Sequence, residues 1–196
     1  GGSIFVTGNK AVLNTNDVLF EGCGGGTCAY YGGAVGMNGN GAAMFTTRST
    51  FQSNTASSDG GAIFMYGAAQ VTIESTVFKN NNAGSANVAH GGAVTVSNGN
   101  PKATLTLAGG DNVFESNGAP GSGNSIFAYP NGKLIFETCR PGTFQAANPL
   151  SDVAVDHDFY GCPLSCPVGK TTADFPEYTA RKGNTQATWC IFGLTM

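Results

Sequence analysis

The sequence predicts an all-β fold: a right-handed parallel β-helix of about five coils, followed by a small disulfide-rich C-terminal segment. Three observations carry that prediction. A Gly-Gly signal and a Phe signal recur together, apolar residues between them alternate with period two, and the composition changes near residue 139. Self-similarity at a period of roughly 20 to 50 residues is the mark of a solenoid or an array.

The Gly-Gly signal reads GGSI (1–4), GGAV (32–35), GGAI (60–63) and GGAV (91–94), and degenerates to GNSI (123–126). The Phe signal reads FEGC (20–23), FQSN (51–54), FKNN (78–81) and FESN (114–117). From first Gly to next Phe the intervals are 19, 19, 18 and 23, and the long one contains an insertion around Asn98 to Lys102. A module with tolerated loop insertions accounts for this.

Period-two alternation within a module is the signature of β-strands, whose successive side chains point to opposite faces. Ile4, Val35, Ile63, Val94 and Ile126 form one apolar column, and Val6, Met37, Met65, Val96 and Ala128 a second. Leu13, Met44, Val71 and Leu107, each seven residues before a Phe, form a third, and Phe20, Phe51, Phe78 and Phe114 a fourth. All four are expected to point inward.

A single coil with three short strands cannot bury its own apolar face. Stacked coils pair strand on strand at about 4.8 Å and turn each column into an internal ladder. The Gly pairs suit turns that need positive φ or close backbone approach. Asn54, Asn81 and Asn117 are expected to stack as an amide ladder. Residues 1–138 are therefore read as the β-helix, roughly 20 to 25 Å long, and 139–196 as a cysteine-rich, disulfide-stapled tail.

The alternating Phe-x-x-Asn and Gly-Gly-Ala-Ile signals resemble the repeats of the polymorphic outer-membrane protein family, whose surface passengers are β-helices implicated in adhesion. The likeness covers about the first 130 residues and implies architecture far more than task, because a repeat that encodes a scaffold says little about what the scaffold carries. The first copy departs from the pattern, with Cys23 where the Asn should stand. Cys23 is expected to pair with Cys28 across the loop GGGT and staple a turn.

In the tail, TCRPGTF (138–144), GCPLSCPVGKTT (161–172) and Cys190 are similar to the ephrin-receptor-like cysteine-rich repeat of eukaryotic surface proteins. That resemblance implies bridges Cys139 to Cys162 and Cys166 to Cys190. The spacer here is C-x-x-x-C, and four cysteines by themselves permit three connectivities. A zinc site of Cys162, Cys166 and His157 is the competing reading; a secreted disulfide module explains all six cysteines at once.

Charged residues are only 11% of the chain and glycines number 30, against a usual charged share of roughly 25%. A net charge of -3 with scattered Lys and Arg gives no basic stripe for phosphates, so nucleic acid is not an expected partner. No apolar run reaches the roughly 18 to 20 residues of a membrane helix, and the start lacks a signal-peptide pattern. The cysteines point to an extracellular or cell-surface setting. No Asn-x-Ser/Thr sequon occurs among the 18 asparagines, while Ser- or Thr-linked sugar is compatible with the sequence.

No catalytic residue, metal site or cofactor is expected. β-Helical polysaccharide lyases and hydrolases need clustered carboxylates on one face, whereas the position after each Phe reads Glu21, Gln52, Lys79 and Glu115, a mixed-sign surface ladder. Asp156-His157-Asp158 is read as a solvated loop, GGDN (109–112) as a single uncorroborated calcium-like turn, and His90 as a loop histidine. The Thr-rich strands at 94–96 and 104–106 raise an ice-binding face, but the threonines do not recur rung by rung.

Phe5, Phe64 and Phe127 are expected to face outward on alternate coils, a patch that should be covered by the tail or by another subunit. The chain opens inside a rung at Gly1 and Gly2, so unpaired edge groups are expected to template a neighbour. The functional expectation is a non-enzymatic extracellular structural protein. It would be a subunit of a surface filament that self-associates head to tail, with Gly1, Gly2, Phe5, Phe64 and Phe127 as assembly surface. The alternative is an adhesin or carbohydrate-binding module, and a polysaccharide-degrading enzyme comes third.

Overall fold

A computed structural model of the chain describes residues 4–22, 28–84, 88–99, 102–137, 143–144, 153–160, 164–165, 170–171 and 191–192. In chain order the strands are β1 (Ile4–Thr7), β2 (Val12–Asn16), β3 (Leu19–Glu21), β4 (Val35–Asn38), β5 (Ala43–Thr47), β6 (Thr50–Gln52), β7 (Thr55–Ala56) and β8 (Ile63–Tyr66). They continue as β9 (Gln70–Glu74), β10 (Val77–Lys79), β11 (Asn82–Ala83), β12 (Val94–Val96), β13 (Thr104–Ala108), β14 (Val113–Glu115), β15 (Ile126–Ala128) and β16 (Lys133–Phe136). After residue 138 come β17 (Thr143–Phe144), β18 (Val153–Val155), β19 (Phe159–Tyr160), β20 (Leu164–Ser165), β21 (Lys170–Thr171) and β22 (Ile191–Phe192).

The first four modules each contribute one strand to each of three parallel sheets, and the fifth contributes to two of them. The first holds β1, β4, β8, β12 and β15; the second β2, β5, β9, β13 and β16; the third β3, β6, β10 and β14. The result is a parallel β-solenoid of about four turns, without a helix among the described residues. β7 and β11 add a short pair that three strands per coil did not anticipate. It follows the Asn corner, where Ala56 and Ala83 are small enough to stack fully buried.

The register is the predicted one along the first sheet, where Ile4, Val35, Ile63, Val94 and Ile126 pair in succession. The four Phe rings form one file, with centroids 4.4, 4.7 and 4.7 Å apart and planes within 7° of parallel. Each fully buried ring contributes roughly 1.5 to 3 kcal/mol by removal from water, and stacking adds about 0.5 to 1.5 kcal/mol per pair.

One column differs from expectation. Leu105, not Leu107, pairs with Val71, and Leu107 pairs with Ile73. The register offset is 31 residues at Ile63 and Val94, 34 at Val71 and Leu105, and 36 at Phe78 and Phe114. The insertion is therefore split: three residues lie near Asn98 to Lys102 and two at the Gly109-Gly110 corner. Counting back seven from Phe114 crosses the second insertion and lands one inward position too late.

The corners are held by amide and hydroxyl ladders. Asn54 Nδ2 donates to Asn81 Oδ1 at 3.0 Å and Asn81 Nδ2 to Asn117 Oδ1 at 2.9 Å. The same oxygens accept the backbone N–H groups of Asn54 and Asn81. A second ladder joins Val18 N to Ser49 Oγ and Thr76 N to Asn112 Oδ1 at the preceding corner. The GGDN turn belongs here: Asp111 accepts the Ser75 hydroxyl at 2.7 Å, and Asn112 donates to the Ala108 carbonyl.

The Gly-Gly signal has two separate causes, seen at Gly60 and Gly61. Gly60 has φ +68, where a side chain is strained, whereas a Cβ on Gly61 would fall 2.1 Å from the Gly92 carbonyl oxygen of the next coil. The fifth copy keeps Gly123 at φ +71 but replaces the second glycine by Asn124, where among the described residues no further parallel coil follows.

Instead, the segment after residue 138 returns. β18 pairs antiparallel with β15, and β19 antiparallel with β14. Asp156 accepts N–H bonds from Gly123 and Asn124, and Asp158 one from Ser116 at 2.7 Å. Asp156-His157-Asp158 is exposed, as a solvated loop would be, but its backbone and carboxylates finish the last rung. Cys28 is disulfide-bonded; Cys23, Cys139, Cys162, Cys166 and Cys190 lie outside the described residues, as do Gly1 and Gly2.

Candidate functional site

The outer face of the first sheet carries the largest concentration of exposed rings described here, arranged in three columns. Phe5, Gly36, Phe64, Thr95 and Phe127 share one register file. Two positions further along each strand run Thr7, Asn38 and Tyr66, followed by Ser97 and Tyr129, whose N–H groups bond the carbonyls of Met65 and Val96. On the other side stands the residue before each Gly-Gly turn: Tyr31, Asp59, His90 and Ser122, joined by bonds such as His90 N to Asp59 Oδ1 at 2.7 Å.

Two columns supply rings in alternation. A Cβ on Gly36 would lie 2.7 Å from Phe5 Cδ2, so the glycine makes room for the Phe5 ring above it. Tyr31 of the second rung stacks on Phe64 of the third at 4.5 Å, and His90 of the fourth on Phe127 of the fifth at 4.3 Å. Phe64 and Phe127 are therefore only partly exposed, while Phe5 keeps 64% of its surface open. The cover is supplied by Tyr31 and His90 of the solenoid itself. This explains why Phe recurs on alternate coils: the intervening rung gives the ring from its neighbouring column.

His90 is half-buried, its Nδ1 3.0 Å from Ser122 Oγ, and so belongs to this face rather than to a bare loop. Tyr129 stands edge-on to Phe127 at 4.8 Å and 86°. Between these walls lies a groove of about 430 Å³ that reaches all five rungs, with Phe5, Tyr31, Asp59, Phe64, Tyr66 and Tyr129 in its lining. Asn38, Ser97 and Asn98 add hydrogen-bonding groups.

Burial pushes the Asp59 carboxyl above its ordinary value, opposed by the His90 N–H bond and the His90 charge. Burial also raises the Tyr129 phenol, with Asp59 and Tyr31 contributing in the same direction. The arrangement offers flat apolar surfaces beside a carboxyl and amides, the composition of a ligand cleft with a few orienting polar groups. Among the described lining residues Asp59 is the one carboxyl.

The chain matches no family model, no curated protein and no solved structure. The β-solenoid of repeats stands on the structure, and the two family likenesses rest on the sequence motifs alone.

Of the sequence-predicted assembly residues, Phe5, Phe64 and Phe127 fall in one file of this face; Gly1 and Gly2 lie outside the described residues. No group of three or more His, Cys, Asp or Glu placed to hold a metal ion occurs among the described residues. No helix among them is long and apolar enough to cross a membrane. Sequence reasoning missed Tyr31, Asp59, Tyr66 and Tyr129. The signal was present, since the residue before each Gly-Gly and the one six positions after the turn's first Gly recur in phase with the module.

Proposed function

We propose that this chain is a non-enzymatic surface protein of an extracellular setting whose rigid solenoid presents the aromatic groove of its first sheet to carbohydrate. The single observation that supports this reading is the groove itself: exposed rings on several rungs beside Asp59, Asn38, Ser97 and Asn98. Monomeric proteins seldom leave rings open to water without a use. The six cysteines support the oxidising compartment. A glycan array probed with the purified chain and with Tyr66→Ala tests the reading. Saturable binding that the variant loses supports it, and an array without hits removes it.

The filament reading is the second. It is weakened by the antiparallel β18 and β19 on the edges of β15 and β14, since head-to-tail growth through that end would have to displace them. Sedimentation of the chain across a concentration series separates the two, because a polymer former grows with concentration and a binding module stays monodisperse.

A further inference from the structure

We propose that the groove is shaped for a neutral, extended chain of β-linked pyranose sugars lying along the solenoid axis, and that Asp59 turns away acidic sugars. This rests on the carbohydrate-binding reading above and names the ligand class and its direction.

The direction follows from the order of groups along the groove. Phe5 stands on the first rung, Tyr31 and Asn38 on the second, Phe64 and Tyr66 on the third, Ser97 and Asn98 on the fourth and Tyr129 on the fifth. Rungs are about 4.8 Å apart, so within the outer file Tyr66 and Tyr129 stand about 9.6 Å apart, with Ser97 halfway between them and Asn38 on the rung before Tyr66. An extended β-linked chain turns each sugar about its axis relative to the last, so the same face returns with every second residue, over a similar distance. The C–H face of a pyranose is apolar and lies flat on a ring, while its equatorial hydroxyls point sideways to amides and hydroxyls. Asn38 and Ser97 keep rings off the second and fourth rungs of this outer file, so Tyr66 and Tyr129 do not close into a stack like the buried Phe file.

The charge selection follows from the lining, which contains the Asp59 carboxyl and, among the described residues, no Lys, Arg or His. A carboxylate in a partly desolvated wall repels a second one strongly and has lone pairs to spare for vicinal hydroxyls. Rings and a carboxyl would also attract a quaternary ammonium. That ligand would make no use of Asn38, Ser97 and Asn98, and a cleft five rungs long is far larger than it needs.

Titration calorimetry of the full chain tests the inference with a length series of neutral β-1,4-linked oligosaccharides, the matching oligogalacturonates, and tetramethylammonium. Affinity should rise with length until the oligomer spans the groove, about 19 Å, and then level off. Tyr66→Ala, at an exposed position, should weaken binding by about tenfold. Oligogalacturonates should fail on the wild type and gain affinity on Asp59→Asn. Neutral sugars binding without length dependence, or acidic ones binding equally well, would overturn the inference and leave the carbohydrate reading intact. Binding of tetramethylammonium alone, or of no probe, would overturn the inference, and the carbohydrate reading falls with it only if the glycan array is also without hits.

Discussion

Phe159 stacks on Phe114 with centroids 4.5 Å apart and planes 13° from parallel, extending the buried Phe file by one ring from a strand that runs the opposite way. The last rung of the third sheet thus receives a side chain of the kind its own repeat would have placed there. The ring brings β19 with it, which pairs with the edge of β14. Phe159→Ala is expected to cost about 2 to 4 kcal/mol, read from urea unfolding. Because it also loosens the cap, the variant should self-associate at concentrations where the wild type does not. A variant equally stable and equally monodisperse would mean that the cap is dispensable.

Asn81 is fully buried and serves four bonds, accepting from Asn54 N and Nδ2 and donating to the Phe51 carbonyl and Asn117 Oδ1. Asn81→Ala leaves buried donors unmet and should cost about 2 to 4 kcal/mol. Asn81→Asp should cost more, since it loses both donations and buries a charge beside two oxygens. Thermal unfolding of the pair decides the order.

Thr46 is 1% exposed and its hydroxyl has no hydrogen-bond partner. It stands in register with Thr15 and Ile73 in an inward file that becomes fully apolar in later rungs. Thr46→Val keeps the shape and removes an unmet polar group, so a gain of about 1 kcal/mol is expected. A loss of stability would show that the hydroxyl is satisfied in solution.

Gly61 and Gly41 separate steric from conformational demand. A Cβ on Gly61 meets the backbone of Gly92 and Asn82 within 2.6 Å, whereas Gly41, at φ +78, has no neighbour nearer than 4.0 Å. Gly61→Ala should cost about 2 to 4 kcal/mol and Gly41→Ala about 1 kcal/mol. Equal costs in chemical denaturation would undo the distinction.

Burial holds the half-buried Asp59 carboxyl above its ordinary 3.8, so the folded chain holds this proton more tightly than the unfolded chain does. Such a group adds stability below the unfolded value, which is lost as pH rises through the folded one. Asp59→Asn carries no charge at any pH. It should match the wild type at about pH 3 and exceed it at about pH 7, with His90, Tyr31 and Tyr129 as the titratable neighbours. Melting temperatures of both proteins across that range check the sign.

The buried files were legible because burial leaves its mark on every copy: a position that faces inward in one coil faces inward in all, and polar residues there are costly. The Phe file and the Asn ladder were read directly from spacing for this reason. The Leu107 column failed where two insertions fell within one module, since spacing counted along the chain cannot see which corner absorbs the extra residues. The groove was harder. Its rings alternate between two files, so neither file looks regular, and Tyr31 and His90 read as turn residues until the fold lays them over Phe64 and Phe127.

By itself the sequence determined the solenoid, its three-sided coil and the identity of its buried ladders, because these depend on a periodicity that any single strand already displays. Only the tertiary structure decided which rings on the outside meet, where the inserted residues go, and that β18 and β19 close the C-terminal end. Those outcomes depend on contacts between residues about 30 positions apart or more, whose partners are fixed by how the coils stack.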